Sequence, residues 1–237
     1  MTKSSEKTVS GNSNPMNKYI LIVAGGSGSR MGNNTPKQFL EIYGKPVLMH
    51  TFESFFSTKQ NFKYILVLPE DQIQFWKDLC EKHIFNIPHI IVPGGSERYF
   101  SVKNGLQTVS ENGFIAVHDG VRPLVSKETI IRCFEEAEKH GCAIPCIDIP
   151  ESIRQITENA SHAEDRTKYK IIQTPQVFSI SLLQEAYKLP YEKSFTDDAS
   201  VFEKAGNKIH LVKGNEENIK ITKPTDLLIA EVLMKMK

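Results

Sequence analysis

The chain has 237 residues, 40% hydrophobic and 24% charged. That is enough for one domain with a full core, and it excludes a disordered chain, a coiled coil and a disulfide-stapled miniprotein. Lys and Arg number 29 against 28 Asp and Glu, a formal charge of +1, so no global field draws the protein to nucleic acid or to an anionic membrane, and any anionic ligand must be held by local cations.

Residues 1–16 are rich in Ser, Asn, Lys and Thr with no apolar stretch, so they are expected to form a disordered extension rather than a secretory signal. Met16 is a second candidate start, and a single domain is expected over 17–237. Short β-branched runs predict strands over 19–24, 64–68, 89–92, 114–118 and 142–147, while apolar residues at helical spacing predict helices over 47–56, 71–83, 97–109 and 127–140. This alternation implies an α/β fold, a mostly parallel twisted sheet flanked by helices. From 148 to about 172 the pattern breaks into polar sequence with Pro150, Asn159 and a mixed charge run. A stretch of that length without periodicity is expected to be an arm or lid rather than a plain connection. Helices over 180–188, 198–204 and 225–236 and a strand over 209–212 complete the chain.

The apolar runs fall far short of the roughly 20 residues that cross a bilayer. Cys80, Cys133, Cys142 and Cys146 lack the paired C-x-x-C spacing of a structural zinc site, so they are expected to be free thiols in a reducing cytoplasm.

The first strand runs into Gly25-Gly26-Ser27-Gly28-Ser29-Arg30-Met31-Gly32, followed by Pro36-Lys37-Gln38. Glycines let backbone N–H groups turn inward and approach phosphate oxygens closely. The string G-x-x-x-x-G-K-[ST] of the P-loop is missing, and Met31 stands where the dinucleotide fingerprint needs a third glycine. What remains is a Gly-rich loop plus two cations, Arg30 and Lys37, able to neutralise charge that grows on a triphosphate as pyrophosphate leaves. A merely tight strand-to-helix turn with two solvated cations is the plainer alternative.

The segment 23–31 with Pro36-Lys37-Gln38-Phe39 resembles the 2-C-methyl-D-erythritol 4-phosphate cytidylyltransferases. Further segments match in order: Gly94-Gly95-Ser96-Glu97-Arg98 with Ser101, His118-Asp119-Gly120-Val121-Arg122-Pro123, Gln173-Thr174-Pro175-Gln176, Thr196-Asp197-Asp198-Ala199-Ser200 and Asn218-Ile219-Lys220-Ile221-Thr222. The resemblance implies a nucleotidyltransferase sandwich that moves CMP from CTP to methylerythritol 4-phosphate. It also implies Mg2+ held mainly by the CTP phosphates, and a homodimer formed through an extended arm.

By the same resemblance, Arg30 and Lys37 stabilise the transition state at the α-phosphorus, Lys220 contacts phosphate, and Arg166 grips the acceptor phosphate from the other subunit. Ala24, Gly25, Gly26, Gly28, Gly95, Ser101, Asp119 and Gly120 are implied to surround the nucleotide, with the segment of Gly95 and Ser101 recognising cytosine. Arg122, Thr174 and Thr196 are implied at the acceptor, Arg122 orienting either Asp119 or the acceptor. The family's acceptor-contacting Thr has no direct counterpart at Ile149; pairing through Glu151-Ser152-Ile153-Arg154 keeps the hydroxyl as Ser152. His118 is assigned a structural place, because an anionic phosphate acceptor needs no general base. Ribitol 5-phosphate cytidylyltransferase is the nearest rival, and a non-catalytic nucleotide-binding module a second.

Overall fold

The computed structural model describes residues 16–25 and 35–236. The expected extension lies outside the described residues except for Met16, and so do Gly26, Gly28 and Arg30 of the glycine-rich loop.

In chain order, β1 (Asn17–Val23) leads to a 3-10 turn (Lys37–Phe39), the small ribbon β2 (Glu41–Ile42) and β3 (Lys45–Pro46), and α1 (Val47–Phe56). Next come β4 (Phe62–Leu68), α2 (Ile73–Lys82), β5 (Ile90–Pro93), α3 (Arg98–Leu106), β6 (Gly113–Asp119), α4 (Lys127–His140) and β7 (Cys142–Ile147). The hairpin β8 (Ile153–Ile156) and β9 (Ser161–Glu164) occupies the expected arm. The chain closes with β10 (Ile171–Ile172), β11 (Gln176–Ser179), α5 (Ile180–Ala186), α6 (Asp198–Lys204), β12 (Leu211–Lys213) and α7 (Pro224–Lys235).

β1 lies between β4 and β6, both parallel to it, and β5 extends the sheet beyond β4, again parallel. β10 and β11 run one after the other antiparallel to β7, with Ile171 opposite Ile147, Ile172 opposite Cys146 and Val177 opposite Ala143. β11 also pairs antiparallel with β6, and β12 pairs parallel with β7. The result is an eight-stranded, mostly parallel sheet. The antiparallel insertion at its centre was not among the expected strands, because Gln176–Ser179 is too short to show alternation and directly abuts a helix.

Burial follows the strand period of two. Ile20 and Ile22 of β1 face a core shared with Phe52 and Phe55 of α1, Trp76 of α2 and Phe134 of α4. Tyr19, Leu21 and Val23 face the other side, against Tyr99 and Val102 of α3, Leu183 of α5 and Phe202 of α6. A third cluster seats α7 through Ala230 on Ile42, Val47, Val121 and Ile221. α4 has the limits expected from sequence because both ends are marked: Ser126 accepts from the Thr129 N–H at the start, and Gly141, at φ 82°, ends it in the left-handed region.

The arm is a hairpin whose strands pair only with each other among the described residues. Ile156 at its tip is 74% exposed. Cys133 and Cys142 are buried, Cys80 and Cys146 half-buried, and all four are free. No helix of the described residues is long and apolar enough to cross a membrane.

Phe52 is the hub of the larger core, with its ring against Tyr64, Trp76, Phe85 and His89 at centroid separations of 5.0–6.0 Å. Phe52→Ala should lower the unfolding free energy by about 3–5 kcal/mol, since transfer and cavity terms add. Urea denaturation followed by circular dichroism measures it.

Candidate active site

All strand ends that carry the sequence motifs meet at one edge of the sheet, the carboxyl edge of its parallel strands, where open α/β sheets bind ligands. Ala24 and Gly25 follow β1, Gly94 and Gly95 follow β5, Asp119 and Gly120 end β6, and Thr174 precedes β11. Two clefts of about 250 and 260 Å3 open there. The first is lined by Ala24, Gly25, Lys37, Gly95, Ser101 and Lys220 among others, the second by Arg122, Thr174, Thr196 and Lys220 among others. Arg98, Asp119 and Lys220 line both.

The shared wall is a charge cluster built around Asp119. Its Oδ2 lies 3.1 Å from Lys220 Nζ and 3.1 Å from Arg122 Nε, and its Oδ1 lies 3.7 Å from Arg98 Nε. Burial pushes the Asp119 carboxyl up, but the charges of Lys220, Arg98 and Arg122 outweigh it and hold the group below the usual carboxylate range. Arg98 is fixed from behind by a two-pronged ion pair, Nη1 to Asp198 Oδ1 at 2.9 Å and Nη2 to Oδ2 at 2.6 Å, with Tyr187 donating its hydroxyl to Oδ1. Burial alone would drain charge from that guanidinium; the facing carboxylates of Asp198 and Asp119 keep it protonated.

Lys220 is aimed by its neighbours. The Ile221 N–H donates to the Val121 carbonyl at 3.0 Å, Arg122 Nη1 donates to the Asn218 carbonyl at 2.8 Å, and Asn218 Nδ2 donates to the Thr174 carbonyl at 2.8 Å. Three chain segments far apart in sequence are thereby pinned to one another around the cleft.

On the other side, Gln38 Nε2 donates to the Ala24 carbonyl at 2.8 Å and to Gln72 Oε1 at 2.7 Å, which fastens the Pro36-Lys37-Gln38 turn to the end of β1. Ser101 accepts from the Gly95 N–H at 3.1 Å and donates to the Glu97 carbonyl at 3.1 Å, so its hydroxyl closes the turn ahead of α3. A side chain at Gly95 would bring its Cβ to 2.3 Å from Phe100 Cβ, so only glycine fits that turn.

A family profile described as 2-C-methyl-D-erythritol 4-phosphate cytidylyltransferase, IspD, matches residues 19–236. The chain belongs to this family. The protein of that name from Bacteroides thetaiotaomicron is 51% identical over 219 residues, 92% of this chain and 100% of its own length. That from Clostridium botulinum is 39% identical, covering 90% of this chain and 97% of its own. A crystal structure of 4-diphosphocytidyl-2C-methyl-D-erythritol synthase from Anaerococcus prevotii superposes with a TM-score of 0.80 at 28% identity, covering 93% of this chain and 99% of that one.

Of the residues singled out in the sequence of this cytidylyltransferase, the structure brings Ala24, Gly25, Lys37, Gly95, Ser101, Asp119 and Lys220 to the first cleft and Arg122, Thr174 and Thr196 to the second. Gly120 sits just behind them, its N–H donating to the Val23 carbonyl at 2.9 Å. Arg30, Gly26 and Gly28 lie outside the described residues. Arg166 and Ser152 line neither cleft within one chain; both are exposed, and Arg166 donates to the Pro150 carbonyl within the arm. Arg98 and Asp198 received no role from sequence. Each stands in a motif quoted there, but their pairing across 100 positions has no trace in the linear order.

His118 is fully buried, and its hydrogen bonds settle its tautomer. Nε2 is 3.1 Å from the Arg122 carbonyl, which can only accept, so Nε2 carries the proton and Nδ1 accepts from Thr174 Oγ1 at 3.0 Å. Thr174 Oγ1 in turn accepts from the Asp119 N–H at 3.1 Å. The imidazole therefore braces the two cleft segments in its neutral form.

Burial pushes the His118 ring down to about 4 from an ordinary 6.5. With the folded value depressed, the stability it contributes is complete above pH 6.5 and is lost as pH falls toward 4, about 3 kcal/mol for a shift of that size. Asp119, held ionised in the folded chain, adds a slope of its own only toward pH 4, where the unfolded carboxyl begins to take up a proton. That contribution is common to both chains compared below. In His118→Gln, the dependence of unfolding free energy on pH between 6.5 and 4 should flatten by about one proton. Urea titrations across that range measure the slope independently of any overall loss of stability.

Proposed function

We infer that this chain transfers CMP from CTP to 2-C-methyl-D-erythritol 4-phosphate and releases pyrophosphate, the reaction its family is named for. The observation that carries this beyond family membership is the common wall of the two clefts. A reaction between two phosphorylated substrates needs one pocket for each and a shared boundary where the phosphates meet, and that boundary carries Arg98, Asp119 and Lys220.

In this reading CTP occupies the first cleft, with its phosphates over Gly25 and toward Lys37, and the cytosine toward Gly95. Methylerythritol 4-phosphate occupies the second, beside Arg122 and Thr196. A phosphate oxygen of the acceptor attacks the α-phosphorus; a new P–O bond forms there, the bond to the β-phosphate oxygen breaks, and its electron pair leaves with pyrophosphate. The acceptor is already anionic, so no side chain has to remove a proton. The chain's task is placement and charge neutralisation. Lys220 reaches the meeting point from one side and Lys37 from the other, with Arg30 of the glycine-rich loop as the further cation the family resemblance assigns. Asp119 keeps Lys220 and Arg122 aligned.

Mg2+ fits this donor set only as a partner of the nucleotide. Asp119 is the carboxylate common to both clefts, and three cations already surround it; such a site supplies one oxygen to a metal whose remaining ligands are substrate phosphates and water. When bound, the ion would offset charge on the leaving pyrophosphate.

The arm supports a homodimer. An isolated two-stranded ribbon is marginally stable in water, and this one carries Ile156, 74% exposed, while Tyr169, Ile171 and Ile172, which follow it in the chain, are exposed as well. A second copy that received the arm would cover these residues and bring Arg166 and Ser152 to an acceptor cleft. The free thiols suit the reducing cytoplasm.

A coupled pyrophosphate assay with CTP should show turnover with methylerythritol 4-phosphate well above that with ribitol 5-phosphate. Faster turnover of the ribitol ester would overturn the acceptor assignment, and CTP binding without pyrophosphate release would leave only a binding module. Lys220→Met and Lys37→Ala should each lower kcat by about a hundredfold with smaller changes in KM, as for loss of one charge-stabilising group. Mixed subunits of Arg166→Ala and Lys37→Ala, each inactive alone, should regain partial activity if the arm completes the neighbour's site; verified subunit exchange without rescue would place Arg166 in its own chain's site.

A further inference from the structure

At the opposite edge of the sheet from the clefts, Glu136, His140 and His210 turn their ligand atoms toward one another, all within 4.8 Å. Glu136 and His140 are four apart near the end of α4 and share a face of that helix. His210 stands just before β12, which is parallel to β7, so it lies at the amino edge while Asp119 ends β6 at the carboxyl edge. Its backbone is held on both sides: the carbonyl accepts from the Ile144 N–H at 2.9 Å, and the N–H donates to Cys142 Sγ at 3.4 Å.

We propose that Glu136, His140 and His210 form a binding site for a divalent transition-metal ion of the zinc type, which joins the end of α4 to the start of β12. Two imidazole nitrogens and one carboxylate oxygen are donors that suit Zn2+, Ni2+ or Cu2+, whereas Mg2+ and Ca2+ prefer all-oxygen surroundings. Glu136 Oε2 is 3.4 Å from His140 Nε2 and 3.3 Å from His210 Nε2. A tetrahedral ion with bonds of about 2.0–2.1 Å sets its donors about 3.3–3.4 Å apart, so both edges already have the required length. Lys139 Nζ holds the other carboxylate oxygen, Oε1, at 2.7 Å, which orients Oε2 toward the two rings.

The imidazoles are stacked, centroids 3.8 Å apart and planes 18° from parallel. Because the lone pairs lie in the ring planes, coordination requires the rings to splay until both point at one centre. The His140 side chain is 45% exposed and that of His210 36%, so neither is locked by packing, and the open side leaves room for water as a fourth ligand.

The test uses the full-length protein, stripped with chelator and titrated with Zn2+ in nucleotide-free buffer by isothermal calorimetry. One Zn2+ per chain is expected to bind with micromolar affinity and to raise Tm. His210→Ala and Glu136→Gln should weaken binding by more than about tenfold, the loss seen when even an outer partner of a metal ligand is removed, and should abolish the rise in Tm. His162→Ala, on the arm hairpin, should bind as the unaltered chain does. Absence of Zn2+ binding, or wild-type affinity retained in His210→Ala, would show that the two rings only ion-pair with Glu136 and would overturn the site. His140→Ala, at the most exposed position of the three, repeats the comparison if circular dichroism shows that His210→Ala disturbs the fold.

Discussion

The active edge depends on one carboxylate. Asp119 is buried at the end of a central strand and accepts three cations that arrive from different parts of the chain: Arg98 from the first turn of α3, Arg122 from the turn just beyond β6, and Lys220 from the segment ahead of α7. A buried charge without partners is strongly destabilising, so the fold must deliver all of these groups. Delivering them gathers positive charge at the wall between two clefts. The cations are thus held in place by the same interaction that makes burial of Asp119 tolerable.

Fixed positive groups suit a reaction that needs little covalent participation from the protein. Lys220 and Arg122 are already aligned by Asp119, and cations held in place in advance spend little reorganisation when charge develops beside them. Asp198 has the complementary part. By taking both prongs of the Arg98 guanidinium and the Tyr187 hydroxyl, it ties α6 to α3 and fixes the angle at which Arg98 meets the clefts.

The two ends of the sheet are put to different uses. The carboxyl edge carries glycine turns and cations; the amino edge brings the last turn of α4 against the chain entering β12, where the Glu136, His140 and His210 cluster lies. His140 and His210 are 70 positions apart and neither belongs to a motif recognised in the sequence. Only the parallel pairing of β7 with β12, which places both residues just before their strands, makes them neighbours.

The sequence by itself determined the α/β class, the limits of α1, α4, α6 and β7, and the motif residues of both clefts. Strand and helix periodicity, caps such as Ser126 and Gly141, and glycine-rich turns are local signals that survive in linear order. The tertiary structure alone decided the rest: the antiparallel insertion of β11 between β6 and β7, the pairing of Arg98 with Asp198, the spending of the Thr174 hydroxyl on His118, and the sharing of one wall by two pockets. These depend on which strand lies beside which. That order is set by packing two apolar faces at once and by satisfying buried charges across the chain, and neither leaves a pattern in neighbouring residues.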